Sequence, residues 1–135
     1  MSAPAPLAAS GLVALGGGVG AVLRYQAGRA TTQWFGVAAV TAFPWATLAV
    51  NVLGSLAMGL LAGWLARHGS GASDTWRLLL GVGLLGGFTT FSAFSLELML
   101  LIERGQAAVA VTYAAVSIFA GLAALYLGLI AVRLT

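Results

Sequence analysis

Long apolar stretches separated by short polar ones run through the whole chain, and that pattern predicts four membrane-spanning helices. The first extends from about Leu7 to about Ala30, the second from Pro44 to Ala66, and the third from about Trp76 to Ile102. The fourth lies between Arg104 and Arg133, at about 107–132. Each is long enough to cross roughly 30 Å of hydrocarbon as a helix. Thr31 to Phe43 reads as a connector whose apolar part is too short to span. Arg67 to Thr75 reads as a polar loop, and Glu103-Arg104-Gly105-Gln106 as a tight turn. No second domain or internal repeat is visible, so residues 1–135 are expected to form one all-α transmembrane domain.

The third span is unlike the other three. Its uncharged run from Leu78 to Leu96 holds two adjacent glycines and then a cluster of hydroxyls, Gly86-Gly87-Phe88-Thr89-Thr90-Phe91-Ser92-Ala93-Phe94-Ser95. That is poor material for a continuous lipid-facing helix. A break at bilayer depth is tolerated only where protein or a watery cavity satisfies the freed backbone groups. One interpretation is a discontinuous helix with unpaired carbonyls around Gly86 to Thr89, suited to a hard cation. The other is an unbroken helix with a flexible double glycine.

Composition narrows the class. The chain is 61% hydrophobic and 7% charged, against about 25% charged in a soluble domain, so it is an integral membrane protein. Six arginines face Asp74, Glu97 and Glu103, and there is no lysine. Scattered arginines make no nucleic-acid patch and read better as caps on membrane helices. The absence of cysteine removes thiolate nucleophiles and thiolate metal sites. A lone His68 builds no histidine cluster, and the missing lysine removes P-loop and Schiff-base chemistry. An enzyme is therefore not expected. No Lys or Arg precedes Arg24, so the N-terminus lacks the basic start of a secretory signal.

With four spans, Arg67, Arg77 and Arg133 fall on one side of the membrane and Arg24, Arg29 and Arg104 on the other. Loop charge then sets no clear orientation. Either the chain inserts both ways and pairs head-to-tail with itself, or one group tips the balance. Small residues recur at four-residue spacing in the second span (Asn51, Ser55, Gly59, Gly63). In the fourth, Tyr113, Ser117 and Gly121 share a face, with Ala124 and Gly128 close by. Such stripes let helices approach closely, within one subunit or between two.

Several residues are candidates for chemistry. Phe91 and Phe94, three apart on a helix, share a face. Their positive ring edges would attract an anion weakly, although phenylalanines also pack against lipid or neighbours. Thr90, Ser92 and Ser95 add hydroxyl donors. Asn51 is interhelical glue or gives its NH2 to an anion, with Tyr113 and Ser117 as further donors. Arg24 draws anions to a pore mouth or caps the first helix. Glu97 is a proton-coupling carboxylate, or a surface-snorkelling or capped acid. Gly16-Gly17-Gly18-Val19-Gly20-Ala21 matches a dinucleotide fingerprint by spelling only. No strand precedes it and no acidic residue follows at the required distance.

Three motifs together resemble the Fluc/CrcB fluoride channels. They are Gly17-Gly18-Val19-Gly20-Ala21-Val22-Leu23-Arg24-Tyr25, Asn51-Val52-Leu53-Gly54, and the Gly86–Ser95 stretch. The resemblance covers nearly the whole chain, and the third motif is the specific one. It implies a passive, multi-pass fluoride channel of the plasma membrane that relieves fluoride toxicity. It also implies an antiparallel, dual-topology homodimer with two pores and a central structural sodium ion. By position, Gly86 and Thr89 would give backbone carbonyls to that sodium. Phe91 and Phe94 would be the pore phenylalanines and Asn51 the pore asparagine. Thr90 and Ser92 would add hydroxyls to the pathway, Tyr113 and Ser117 would form the fourth-helix polar track, and Arg24 would be the vestibule arginine. Ala93 stands where the family usually has a hydroxyl, and Gly121 where some relatives have serine. The main rival, a four-helix exporter of lipophilic cations, wants a carboxylate deep in the membrane. No acidic residue precedes Asp74, which lies in a loop. A non-transporting membrane subunit would explain the small-residue stripes but not the hydroxyl-rich stretch.

Overall fold

The computed structural model describes residues 4–69 and 72–134, and these are helical apart from short connections, with no strand. Helix α1 spans Pro6–Ala42, α2 Trp45–Arg67 and α3 Ala72–Trp76. A π-helical run, Arg77–Leu85, leads into the single turn α4, Gly86–Phe88. Helix α5 spans Phe91–Glu103 and α6 Ala107–Arg133. Four helical stretches are long and apolar enough to cross a membrane: Pro6–Ala42, Trp45–Arg67, Ser73–Glu103 and Ala107–Arg133. The chain is a multi-pass membrane protein. Of the expected polar loop, Ser70 and Gly71 lie outside the described residues, and Ser73 to Thr75 are already helical.

The expected connector from Thr31 to Phe43 is corrected, because α1 runs on to Ala42. Threonines there do not end the helix. Thr31 donates to the Ala27 carbonyl at 2.7 Å and Thr32 to that of Gly28 at 3.0 Å, so their hydroxyls are satisfied within the helix. Gly36 alone leaves helical geometry, at φ 82° and ψ 160°, a conformation glycine reaches without steric cost. Phe43 is extended before Pro44, as a residue preceding proline should be. The expected tight turn is a Schellman cap. Gly105 at φ 74° donates to Ile102 and Gln106 donates to Leu101, both at 2.9 Å.

The glycines set the packing. A Cβ on Gly16 or Gly20 of α1 would collide with the Leu79 or Leu84 carbonyl of the π-helical run. A Cβ on Gly87 would strike the Gly17 backbone. The glycine-rich motif of the first span is therefore a helix-packing surface, and Gly87 answers it from the third. In the same way a Cβ on Gly59 of α2 would collide with the Leu125 carbonyl of α6, and one on Gly128 with that of Leu56. The small-residue stripes of the second and fourth spans thus face each other within one chain. The best-buried apolar cluster joins Leu101, Ala110 and Tyr113, with Phe43, Leu48, Phe94 and Leu98 packed on it.

Candidate functional site

The site is built around two residues that leave helical geometry between α4 and α5. Thr89 (φ −80°, ψ 159°) and Thr90 (φ −152°, ψ 122°) are both extended. The departure lies after the double glycine, not on it. Gly86 and Gly87 are helical, and the Gly86 N–H reaches back to the carbonyls of Gly81 and Gly83.

An extended pair inside an apolar bundle must find partners for its backbone groups. The Asn51 side chain supplies them. Its Oδ1 accepts from the Thr90 N–H at 2.8 Å, and its Nδ2 donates to the Thr90 carbonyl at 3.1 Å. The backbone fixes which way the amide points, because an N–H needs an acceptor and a carbonyl a donor. Asn51 therefore behaves as a neighbouring strand would. One of its two N–H groups is committed to Thr90, which leaves the other for a ligand.

Helical donors are diverted from two carbonyls. In a continuous α-helix the Thr90 N–H would bond the Gly86 carbonyl and the Ala93 N–H that of Thr89. Here the first goes to Asn51, and the second goes to the Thr90 Oγ1 at 3.2 Å, an N-cap on α5. The Thr89 hydroxyl and N–H both turn back to the Leu85 carbonyl, at 2.9 and 3.0 Å. Among the described residues no group of three or more His, Cys, Asp or Glu could hold a metal ion.

Beside this departure is a cleft of about 340 Å³. Asn51, Thr90, Phe91, Phe94 and Ser117 line it together. The rings of Phe91 and Phe94 have centroids 5.9 Å apart, and Phe91 is 79% exposed on a single chain. The Ser117 hydroxyl is buried without a hydrogen-bond partner, an uncommon state for a buried donor. Tyr113 lies one turn away on α6 and is not among the residues lining this cleft. It is fully buried, its ring 5.1 Å from Phe94. Ser92 is exposed, with its hydroxyl 3.4 Å from that of Thr90.

Of the readings offered for Glu97, the capped acid fits, and the residue is half-buried. Its Oε1 accepts from the Thr47 hydroxyl at 2.6 Å and its Oε2 from the Tyr113 hydroxyl at 2.7 Å. No local spacing reveals this, because Thr47 and Tyr113 come from separate helices. A buried hydroxyl needing an acceptor was the available signal. Arg24 is not in the Phe cleft. It lines a second cleft of about 760 Å³, together with Arg29, Arg104 and Glu97. Tyr113 and Glu97 join the two clefts, one touching Phe94 and the other lining the arginine cleft.

The profile of the family described as "CrcB-like protein, Camphor Resistance (CrcB)" matches residues 11–129. A fluoride-specific ion channel FluC of Erythrobacter litoralis is 57% identical over 134 residues, which cover 99% of this chain and 98% of that one. The protein of the same name from Novosphingobium aromaticivorans is 59% identical over 127 residues, covering 94% and 98%. That of Caulobacter vibrioides is 48% identical over 122 residues, covering 90% and 93%.

Proposed function

The chain belongs to the CrcB-like family, and on that premise we propose that it is a passive fluoride channel which relieves fluoride toxicity in a bacterial plasma membrane. The observation that carries this is the buried, unpartnered hydroxyl of Ser117, a residue that lines the same cleft as Phe91, Phe94 and Asn51. An uncommitted hydroxyl donor in a cleft that two aromatic rings also line suits an anion better than a cation or a lipid tail.

Fluoride is small and holds water strongly. The idealised Born cost of moving such an ion into low dielectric is of order 20 kcal/mol. Ring edges of Phe91 and Phe94 replace part of that hydration without a competing counter-ion. Ser117 donates its proton to the anion. Asn51 contributes its remaining N–H while its other bonds hold Thr90 in place. Thr90 caps α5 by accepting at its Oγ1, which leaves its O–H proton as a donor for the anion. Tyr113 has one hydroxyl proton and gives it to Glu97, so an anion beside Tyr113 competes with that carboxylate. Arg24, in the wider cleft, raises the local anion concentration at the mouth.

A broken third span at bilayer depth belongs to the same proposal, supported by the extended angles of Thr89 and Thr90. The carbonyls of Gly86 and Thr89, released from helical donors, would hold a structural sodium ion. Such an ion supplies positive charge at the centre of the protein and fixes the carbonyls around it. An antiparallel homodimer is supported by the even arginine distribution and by the exposed Phe91 ring, which a second copy would cover.

The test is fluoride efflux from liposomes holding the purified protein, read with a fluoride electrode and with chloride as the control anion. Rapid fluoride release with little chloride release is expected. Vesicles that retain fluoride would overturn the channel reading. Retention by Phe94→Ile alone would support it, provided that variant still folds.

A further inference from the structure

The wider cleft has features that a fluoride mouth does not require. It measures about 760 Å³, within the roughly 300–1,000 Å³ of pockets that enclose molecules of many atoms. It lies where the C-terminal half of α1, the start of α2 and the end of α5 meet. Three guanidinium groups reach it, Arg24, Arg29 and Arg104. None of them forms an ion pair among the described residues, where the ion pair formed is Arg77 with Asp74. Arg104 spends a donor on the Thr41 carbonyl at 3.2 Å, and Arg29 stands 6.0 Å from the Tyr25 ring. A guanidinium has five N–H donors, so both keep several free. The one carboxylate lining the cleft, Glu97, is bonded by Thr47 and Tyr113.

Val40, Trp45, Leu100 and Leu101 also line the cleft and add apolar surface to it. Nearby Trp34 and Phe35 are exposed, in the manner of the aromatic belt at a membrane interface. Arginines and apolar side chains lining one cleft are the complement of an anionic phospholipid, and basic pockets between membrane helices bind such headgroups. A free phosphate would satisfy the arginines but leave the apolar surface bare. A zwitterionic lipid would bring its own cation against the guanidiniums.

We propose that this cleft binds the phosphate of an anionic phospholipid through Arg29 and Arg104, with an acyl chain lying along Trp45 and Leu100. This does not rest on the transport reading, and its test uses binding. The full-length protein, in micelles containing equal amounts of phosphatidylglycerol and phosphatidylcholine, is examined by native mass spectrometry. Phosphatidylglycerol adducts should exceed phosphatidylcholine adducts several-fold. R29Q/R104Q should bring the two near parity without lowering the melting temperature in plain detergent. R29K/R104K should keep most of the preference. Should the double variant fail to fold, R29Q alone must reduce the ratio. Equal binding of both lipids by the native protein would overturn the proposal, as would an undiminished preference in R29Q/R104Q or R29Q. Displacement of the lipid by millimolar inorganic phosphate would also overturn it, by identifying a free-phosphate site instead.

Discussion

Asn51→Ala is the sharpest test of how the extended residues are held. The substitution removes both bonds to Thr90 and leaves a backbone N–H and a carbonyl without their partners. Thr90 is 8% exposed, so water replaces those bonds poorly. Each buried group left unsatisfied costs about 1–3 kcal/mol, giving about 2–6 kcal/mol for the pair. The cleft beside Asn51 opens to solvent and admits some water, so the lower part of that range applies, about 2–3 kcal/mol. That is roughly 30- to 140-fold in the folding equilibrium. Ser55→Ala is the internal control. Its hydroxyl donates to the Asn51 carbonyl at 2.7 Å, a local bond within one helix, and its loss should cost under about 1 kcal/mol. The assay is reversible unfolding in mixed micelles, beside fluoride efflux from liposomes. Asn51→Ala should lose stability and flux together. If it loses flux while unfolding like the parent, Asn51 serves the anion alone and the bracing role is refuted.

Four further outcomes follow from the packing. Phe94→Ile should cut fluoride efflux sharply and cost only about 1–2 kcal/mol of stability, since the loss falls mainly on its contact with Tyr113; near-normal efflux would remove the ring from the pathway. Gly20→Ala should block folding or cost several kcal/mol, because its Cβ would meet the Leu84 carbonyl and stand 2.8 Å from the Phe88 nitrogen. Gly11→Ala, which meets nothing within 4 Å, should be neutral or gain up to about 1 kcal/mol; expression and thermal unfolding of the two variants side by side decide it. Tyr113→Phe strips one of two hydroxyl donors from Glu97 and should cost about 1.5–3 kcal/mol, with Thr47→Val giving a non-additive partner in a double-mutant cycle; strict additivity would deny that the two hydroxyls share one carboxylate.

The four apolar spans were legible because composition leaves a chain of this kind no other place for its surface. In the third, a break was expected around the double glycine; Gly86 and Gly87 are helical, and it is Thr89 and Thr90 after them that are extended. Side-by-side glycines suggested flexibility, whereas Gly87 serves close packing against Gly17. The hydroxyl residues after it make the departure instead, because Thr90 caps the next helix. The connector after the first span misled for the opposite reason. Its threonines bond back into their own helix, which no count of polar residues distinguishes from a loop. Which residues cap Glu97 was not legible, because its partners are 50 and 16 residues away in sequence, a separation that helical periodicity does not span. Arg24 and the Phe cleft were assigned to one pathway, and the structure puts them in separate clefts joined through Tyr113 and Glu97.

The bracing of Thr90 by Asn51 also constrains how this polypeptide is made. A nascent third span leaving the translocon without α2 alongside would expose bare peptide groups to lipid, at several kcal/mol each. The second span is thus a structural cofactor for the third: the Thr90 N–H and carbonyl keep their partners only while Asn51 lies beside them.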